Sequence, residues 1–251
     1  MPAADRAVGR AIVEAGSRCS LTRAVLEEWS ERGTPKMRRH LLAFLQAESD
    51  SRDAARRARL LGRAQIPVAK SLDGFDWSPV TLPEGLARDD LASLSFVDSR
   101  EDLVLMGDVG TGKTHMAQAL AASMCMAGRE ARFFTAVSLV QRLRRANSEG
   151  RLDRELAAIG KAELVVLDEL GYLPLDEEGA KLLFQVVSQA YERQSLVLTT
   201  NLEFSLWGTV FGDDQMAAAV IDRVVHHGRI LRFRGQSWRV THSLMTGGKA
   251  A

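Results

Sequence analysis

The residues best suited to chemistry form one run, Gly107-Asp108-Val109-Gly110-Thr111-Gly112-Lys113-Thr114-His115. A triphosphate concentrates negative charge in a small volume, so a loop that holds it must bring several backbone N–H groups close. Glycines at 107, 110 and 112 permit that approach because no Cβ intervenes and the required backbone angles are open to them. Lys113 is placed to reach the β- and γ-phosphates and the Thr114 hydroxyl to ligate Mg²⁺, while the following helix aims its N-terminus at the same anion. The whole run 107–115 is therefore expected to bind ATP. Asp108 puts a carboxylate inside this loop and must point away from the triphosphate or weaken its binding.

Two further strand ends carry matching chemistry. Asp168-Glu169 closes the apolar run Leu164-Val165-Val166-Leu167. At the carboxyl edge of a central parallel strand, Asp168 is placed to hold Mg²⁺ together with Thr114, and Glu169 to orient and deprotonate an attacking water. Asn201 closes Ser195-Leu196-Val197-Leu198-Thr199-Thr200 and is read as a polar sensor of the γ-phosphate. These acids and the amide are useful only if their strands lie beside Leu103-Val104-Leu105-Met106, the strand that feeds the loop.

The elements that would do this follow from pattern. Five candidate strands (103–106, 131–135, 164–167, 195–200 and 230–233) alternate with helices, and the continuous apolar runs are those of strands buried on both faces. The expectation is an α/β fold with a five-stranded, mainly parallel sheet. Ala117, Leu120, Ala121 and Met124 follow the loop at helical spacing. Phe75 and Trp77 flank the route into this region, either as packing anchors or as the lining of a base pocket. Phe204, Leu206, Trp207 and Phe211 fall in a loop-rich stretch and read as packing or an interface. His226 and His227, adjacent on a helix, are expected to diverge and not to share a metal. No stretch is long enough for a separate C-terminal helical lid, so a neighbouring subunit is the simplest supplier of a closing surface.

Ahead of the nucleotide region (71–251) lies a helical arm (1–70). Ser20 is a plausible N-cap with Gly33 as a stop, and Thr34-Pro35 opens a second helix carrying Met37, Leu41, Leu42 and Leu45 on one side. Within a net charge of +1, residues 1–70 hold 14 Lys+Arg against 8 Asp+Glu. Arg52, Arg56, Arg59 and Arg63 recur along one helix face. That stripe is either a polyanion contact or a solvated basic face.

With 46% hydrophobic and 26% charged residues, the 251-residue chain is globular and long enough for a sizeable core. Its two cysteines, Cys19 and Cys125, are far apart in sequence, which disfavours a disulfide framework or a zinc site of cysteines. No leader pattern and no apolar run of about 18 residues is present. A soluble, cytoplasmic protein with no membrane role is expected.

Over about residues 35–240 the chain resembles the AAA+ ATPases of the IstB-like and DnaC-like group. The motifs that carry this are Gly107 to Ala117, Leu167-Asp168-Glu169-Leu170-Gly171-Tyr172, Thr199-Thr200-Asn201, and Asp222-Arg223 followed by Arg234-Gly235-Gln236-Ser237-Trp238-Arg239. The Leu-Gly-Tyr run and the Trp207 segment look more like IstB-like transposition helpers than helicase loaders. The resemblance implies a P-loop AAA+ core and an ATPase that multimerises on duplex DNA and regulates target-site assembly for a transposase. The alternative it leaves is a nucleotide-gated helicase-loading adaptor. It assigns Lys113, Thr114, Asp168, Glu169 and Asn201 to the phosphate, metal and water chemistry and Arg223 to a finger donated in trans, and leaves Arg239 near the nucleotide without a firm role; the DNA contact of Arg52, Arg56, Arg59 and Arg63 rests on their spacing and charge alone.

Overall fold

The structure, a computed structural model, describes residues 3–241. The chain divides into two compact units, Met1–Arg59 and Leu60–Ala251. The division falls inside the helix Pro35–Ala64, ahead of the Ile66-Pro67 break in pattern.

The first unit is helical. The helices Ala3–Arg18 and Arg23–Glu31 and the first part of Pro35–Ala64 enclose a small core of Ile12, Ala15, Leu26 and Leu45. Thr34 caps the long helix, its Oγ1 accepting from the Met37 N–H at 3.3 Å. Ser20 is not a cap: it takes φ 60, and the second helix starts after Thr22. Met37 is exposed, so the apolar face of the long helix narrows to Leu41, Leu42 and Leu45. Helix Ala3–Arg18 is an element that the sequence reading does not include.

The second unit is a sheet with helices on both faces. Its strands are β1 Val80–Thr81, β2 Asp102–Gly107, β3 Ala131–Thr135, β4 Leu164–Leu170, β5 Ser195–Thr200 and β6 Gly228–Phe233, in the order β1-β6-β2-β5-β4-β3. The sheet thus has six strands and not five. The addition, β1, is a two-residue edge strand antiparallel to β6, and every other pairing is parallel. A two-residue strand after Ser78-Pro79 has no room for an alternating pattern, and for that reason the sequence does not announce it.

Successive residues of the inner strands serve opposite cores. Val104, Met106, Val165, Leu167, Leu196 and Leu198 face a cluster built with the helices Ala136–Ser148, Glu177–Ala190 and Asp214–His226. Leu103, Leu105, Leu164, Val166 and Val197 face a second cluster under the helix Lys113–Met126. Burial on both sides is why these strands read as unbroken apolar runs. Trp207 and Phe211 lie in a short helix, Trp207–Phe211, and are fully buried in the first cluster, which makes them core and not an interface. Among the described residues no helix is long and apolar enough to cross a membrane.

Candidate functional site

The site lies at the carboxyl ends of β2, β4 and β5. Because β5 sits between β2 and β4, three strand ends distant in sequence meet there. Met106 of β2 and Leu170 of β4 both stand opposite Thr200. Open α/β sheets bind ligands at such an edge.

Residues 107–112 connect β2 to the helix that starts at Lys113. At Gly107 the backbone has φ 139, and a Cβ there would collide with the Phe233 carbonyl of β6. Gly110 has φ 78 and lies against the side chain of Ser237, which a Cβ would displace. Both positions therefore demand glycine twice over, for conformation and for space. Lys113 is 7% exposed and its Nζ donates to the carbonyls of Gly107 at 2.7 Å and Asp108 at 2.5 Å. Burial lowers its pKa to about 8 against the opposing pull of Asp108 and Asp168, and the nearby Arg239 charge lowers it further.

The Thr114 hydroxyl donates to Asp168 Oδ1 at 3.0 Å, which brings the loop and the acidic strand end together. Asp168 is buried and also accepts from the Thr199 hydroxyl at 2.5 Å. Glu169 donates its backbone N–H to the same Thr199 oxygen at 2.9 Å. Between Leu167 and Leu170 the β4–β5 register shifts, so β4 carries one residue more than β5 at this point. Glu169 sits in that bulge with φ 61, a left-handed conformation that costs a non-glycine residue on the order of 1–3 kcal/mol. The bulge turns neighbouring carboxylates to different environments, Asp168 buried beside Thr114 and Glu169 exposed. Thr199 fastens it. Sequence reasoning placed Thr199 in a strand without a role; its signal was a polar residue opposite the acidic pair, visible only once β4 and β5 are known to pair.

Asn201 is exposed directly after β5, between the loop strand and the acidic strand. His115 is otherwise engaged: its Nε2 lies 2.9 Å from the Ser71 carbonyl and its ring packs on Phe75. Phe75 and Trp77 meet edge to face and pack on the second core, with Phe75 also against Gly112. Asp108 is exposed and its Oδ2 accepts from the Gly235 N–H at 3.2 Å. That contact belongs to a strap, residues 234–239, laid over the loop. Arg234 N–H donates to the Pro79 carbonyl and Trp238 N–H to the Gly110 carbonyl, at 2.8 and 2.9 Å. The strap brings Arg239 into electrostatic range of Lys113.

Two groups lie elsewhere. Arg223 occupies the last turn of the helix Asp214–His226, which feeds the start of β6 and not its carboxyl end. Its guanidinium donates to the Ala219 carbonyl at 2.7 Å and stands 4.8 Å over the Phe184 ring. Arg52, Arg56, Arg59 and Arg63 are all exposed on the helix Pro35–Ala64. Arg52 is held by Glu48 at 2.6 Å and by the Cys19 carbonyl at 3.0 Å, whereas Arg56, Arg59 and Arg63 form no ion pair among the described residues.

A glycine loop between a buried strand and a helix, with an acidic strand end two places away in a parallel sheet, defines a P-loop fold of the AAA+ type. Solved structures agree at the level of fold. The DnaC helicase loader matches with TM-score 0.52 at 21% identity, covering 70% of this chain and 99% of that one. Domain III of the Thermotoga maritima replication initiation protein DnaA gives 0.52 at 15% identity, covering 72% and 76%. In sequence, the family described as IstB-like ATP binding protein matches residues 20–246, and the chain belongs to that family. The ATP-binding protein of insertion sequence IS21 from Pseudomonas aeruginosa is 37% identical over 213 residues, 84% of this chain and 79% of that protein. That of insertion sequence IS5376 from Geobacillus stearothermophilus is 36% identical over 200 residues, 80% of each.

Proposed function

We propose that this protein binds and hydrolyses ATP with Mg²⁺, and that it multimerises on duplex DNA as the helper of a transposase, setting when the target site is assembled. The observation that carries the ATPase reading is the meeting of Lys113, Thr114, Asp168 and Glu169 at one sheet edge. The named relatives, ATP-binding proteins of insertion sequences, support the biological setting.

The Thr114 hydroxyl and the Asp168 carboxylate, 3.0 Å apart, are hard oxygen donors of the kind Mg²⁺ prefers, and they are the residues that would hold it. The ion would supply charge neutralisation between the β- and γ-phosphates. Lys113, now bonded to the carbonyls of its own loop, would exchange them for phosphate oxygens. Glu169 would take the proton of the attacking water, and Asn201 would orient that water. Arg223 has no route to its own loop from the far end of β6, which supports its assignment to a neighbouring subunit's site. A cation delivered in this way accelerates phosphoryl transfer by on the order of 10³–10⁵. Exposed Arg56, Arg59 and Arg63 would meet the DNA backbone through its phosphates, without regard to sequence.

Glu169→Gln tests the reading directly. The variant should retain ATP, lose at least about 100-fold in hydrolysis, and accumulate as a DNA-bound assembly whose mass rises with ATP. Hydrolysis at the parent rate would remove Glu169 from its role. Duplex-DNA binding across a salt series tests the remainder: a steep, ATP-dependent loss of affinity with salt is expected. Absence of DNA binding at every salt concentration would favour an adaptor acting through protein contacts.

A further inference from the structure

At the opposite end of the sheet, where the parallel strands begin, three ligand-type side chains converge. Glu192 lies in the turn between the helix Glu177–Ala190 and β5, while His226 ends the helix Asp214–His226 and His227 links it to β6. The expected divergence of the two histidines does not occur. His227 leaves the helix with φ −116 and ψ 18, and this brings its ring to 4.3 Å from that of His226, edge to face.

The three side chains each offer one ligand atom, all within 4.8 Å of one another. His227 Nε2 is 3.3 Å from Glu192 Oε1. An ion bound tetrahedrally at about 2.0–2.1 Å separates its ligand atoms by about 3.3 Å, so this pair already has the spacing of two tetrahedral ligands. The His226 ligand atom lies within 4.8 Å of the other two, so it must close by no more than about 1.5 Å, within reach of an exposed side chain.

The backbone around the trio is pinned. Arg100 donates to the Glu192 carbonyl at 2.7 Å, and the His227 carbonyl accepts from the Asp102 N–H at 2.9 Å. Glu192 itself has φ 58, a conformation the neighbouring contacts maintain. Tyr191 lies with its hydroxyl 3.0 Å from His226 Nδ1 and its ring 6.0 and 5.7 Å from the two imidazoles, limiting both. Among the described residues the Tyr191 hydroxyl is the one polar partner of this kind, holding one ring nitrogen of His226 while the other stays open to a ligand.

We propose that Glu192, His226 and His227 form a site for a divalent transition-metal ion of the Zn²⁺ type, with water completing the tetrahedron. Two imidazoles and one carboxylate suit Zn²⁺, Co²⁺ or Ni²⁺, whereas Mg²⁺ prefers a set of oxygen ligands. A bound ion would join the turn before β5 to the end of the helix that carries Arg223. The site is independent of the ATPase reading, so either can fail without the other.

The test uses the full, untagged chain. Zn²⁺ is titrated in competition with a chromogenic chelator, in excess Mg²⁺, and Co²⁺ binding is followed by visible absorption. One equivalent of Zn²⁺ in the micromolar range or tighter and tetrahedral Co²⁺ bands are expected. His226→Ala/His227→Ala should weaken binding at least about 100-fold and Glu192→Gln about 10-fold, with circular dichroism unchanged because all three side chains are exposed. No saturable binding by the parent protein would overturn the proposal. So would binding of parent strength in the double-histidine variant, since the ion would then lie on other ligands.

Discussion

Lys113 is a buried ammonium whose hydrogen bonds go to two carbonyls of its own loop. Desolvation holds its pKa near 8, well below the ordinary lysine value, so around pH 8 the group is divided between its charged and neutral forms. A triphosphate arriving at the same nitrogen favours the charged form and raises the pKa again. Binding of Mg²⁺·ATP at pH 8 should therefore take up a fraction of a proton, falling toward zero at pH 6 where the lysine is already charged. Calorimetry in two buffers of different ionisation enthalpy reads this number. Proton release, or no difference between the buffers at pH 8, would contradict the assignment. Lys113→Ala should abolish tight binding in either buffer.

Among the elements, the phosphate loop is held from outside by β6 and the strap that follows it. Phe233 carbonyl accepts from Asp108 N–H at 3.0 Å, Asp108 carboxylate accepts from Gly235, and Ser237 lies on Gly110. Asp108 thus turns its carboxylate to the strap, where the Gly235 N–H satisfies it. Gly110→Ala should lower stability by about 1–3 kcal/mol, through a left-handed alanine and a displaced Ser237. It should also weaken ATP binding. Adding Ser237→Gly should recover the steric part while leaving the conformational part. Denaturant midpoints and nucleotide affinity for the single and double variants separate these two contributions; equal losses in both would show that the strap does not press on the loop.

For the molecule as a whole, two consequences follow from which ends of the strands meet. Arg223 belongs to the edge where strands begin and Lys113 to the edge where they end, so cooperation between them requires two copies of the chain. Mixing Arg223→Ala with Lys113→Ala protein should restore a measurable fraction of hydrolysis, since mixed assemblies contain some intact interfaces. Failure to do so in proven mixed assemblies would sink the trans assignment. Asp102, at the start of β2, is buried and accepts from Leu196 N–H at 2.7 Å. Burial pushes its carboxyl up to about 7, with the Leu196 bond opposing the rise. A folded value above the unfolded one favours the folded state fully below pH 3.8, and this contribution is lost as pH rises through about 7. Asp102→Asn should then gain stability relative to the parent on the order of 2–4 kcal/mol between pH 4 and pH 8, measured by urea unfolding at several pH values.

The loop 107–114 and the acids at 168 and 169 were legible because phosphate chemistry restricts residue type and spacing over a few consecutive positions. Five strands were legible because burial on both faces leaves an apolar run. Neither constraint operates on Val80–Thr81, too short to show a period, or on Thr199, whose partner is 31 positions away in sequence. The bulge at Glu169, the strap on Asp108 and the meeting of His226 with His227 and Glu192 depend likewise on pairings between remote segments. The sequence alone determined which groups can handle a phosphate and a metal ion, since those properties reside in single side chains and short local spacings. Only the tertiary structure decided which groups face one another, because strand order and register are set by packing across the whole sheet.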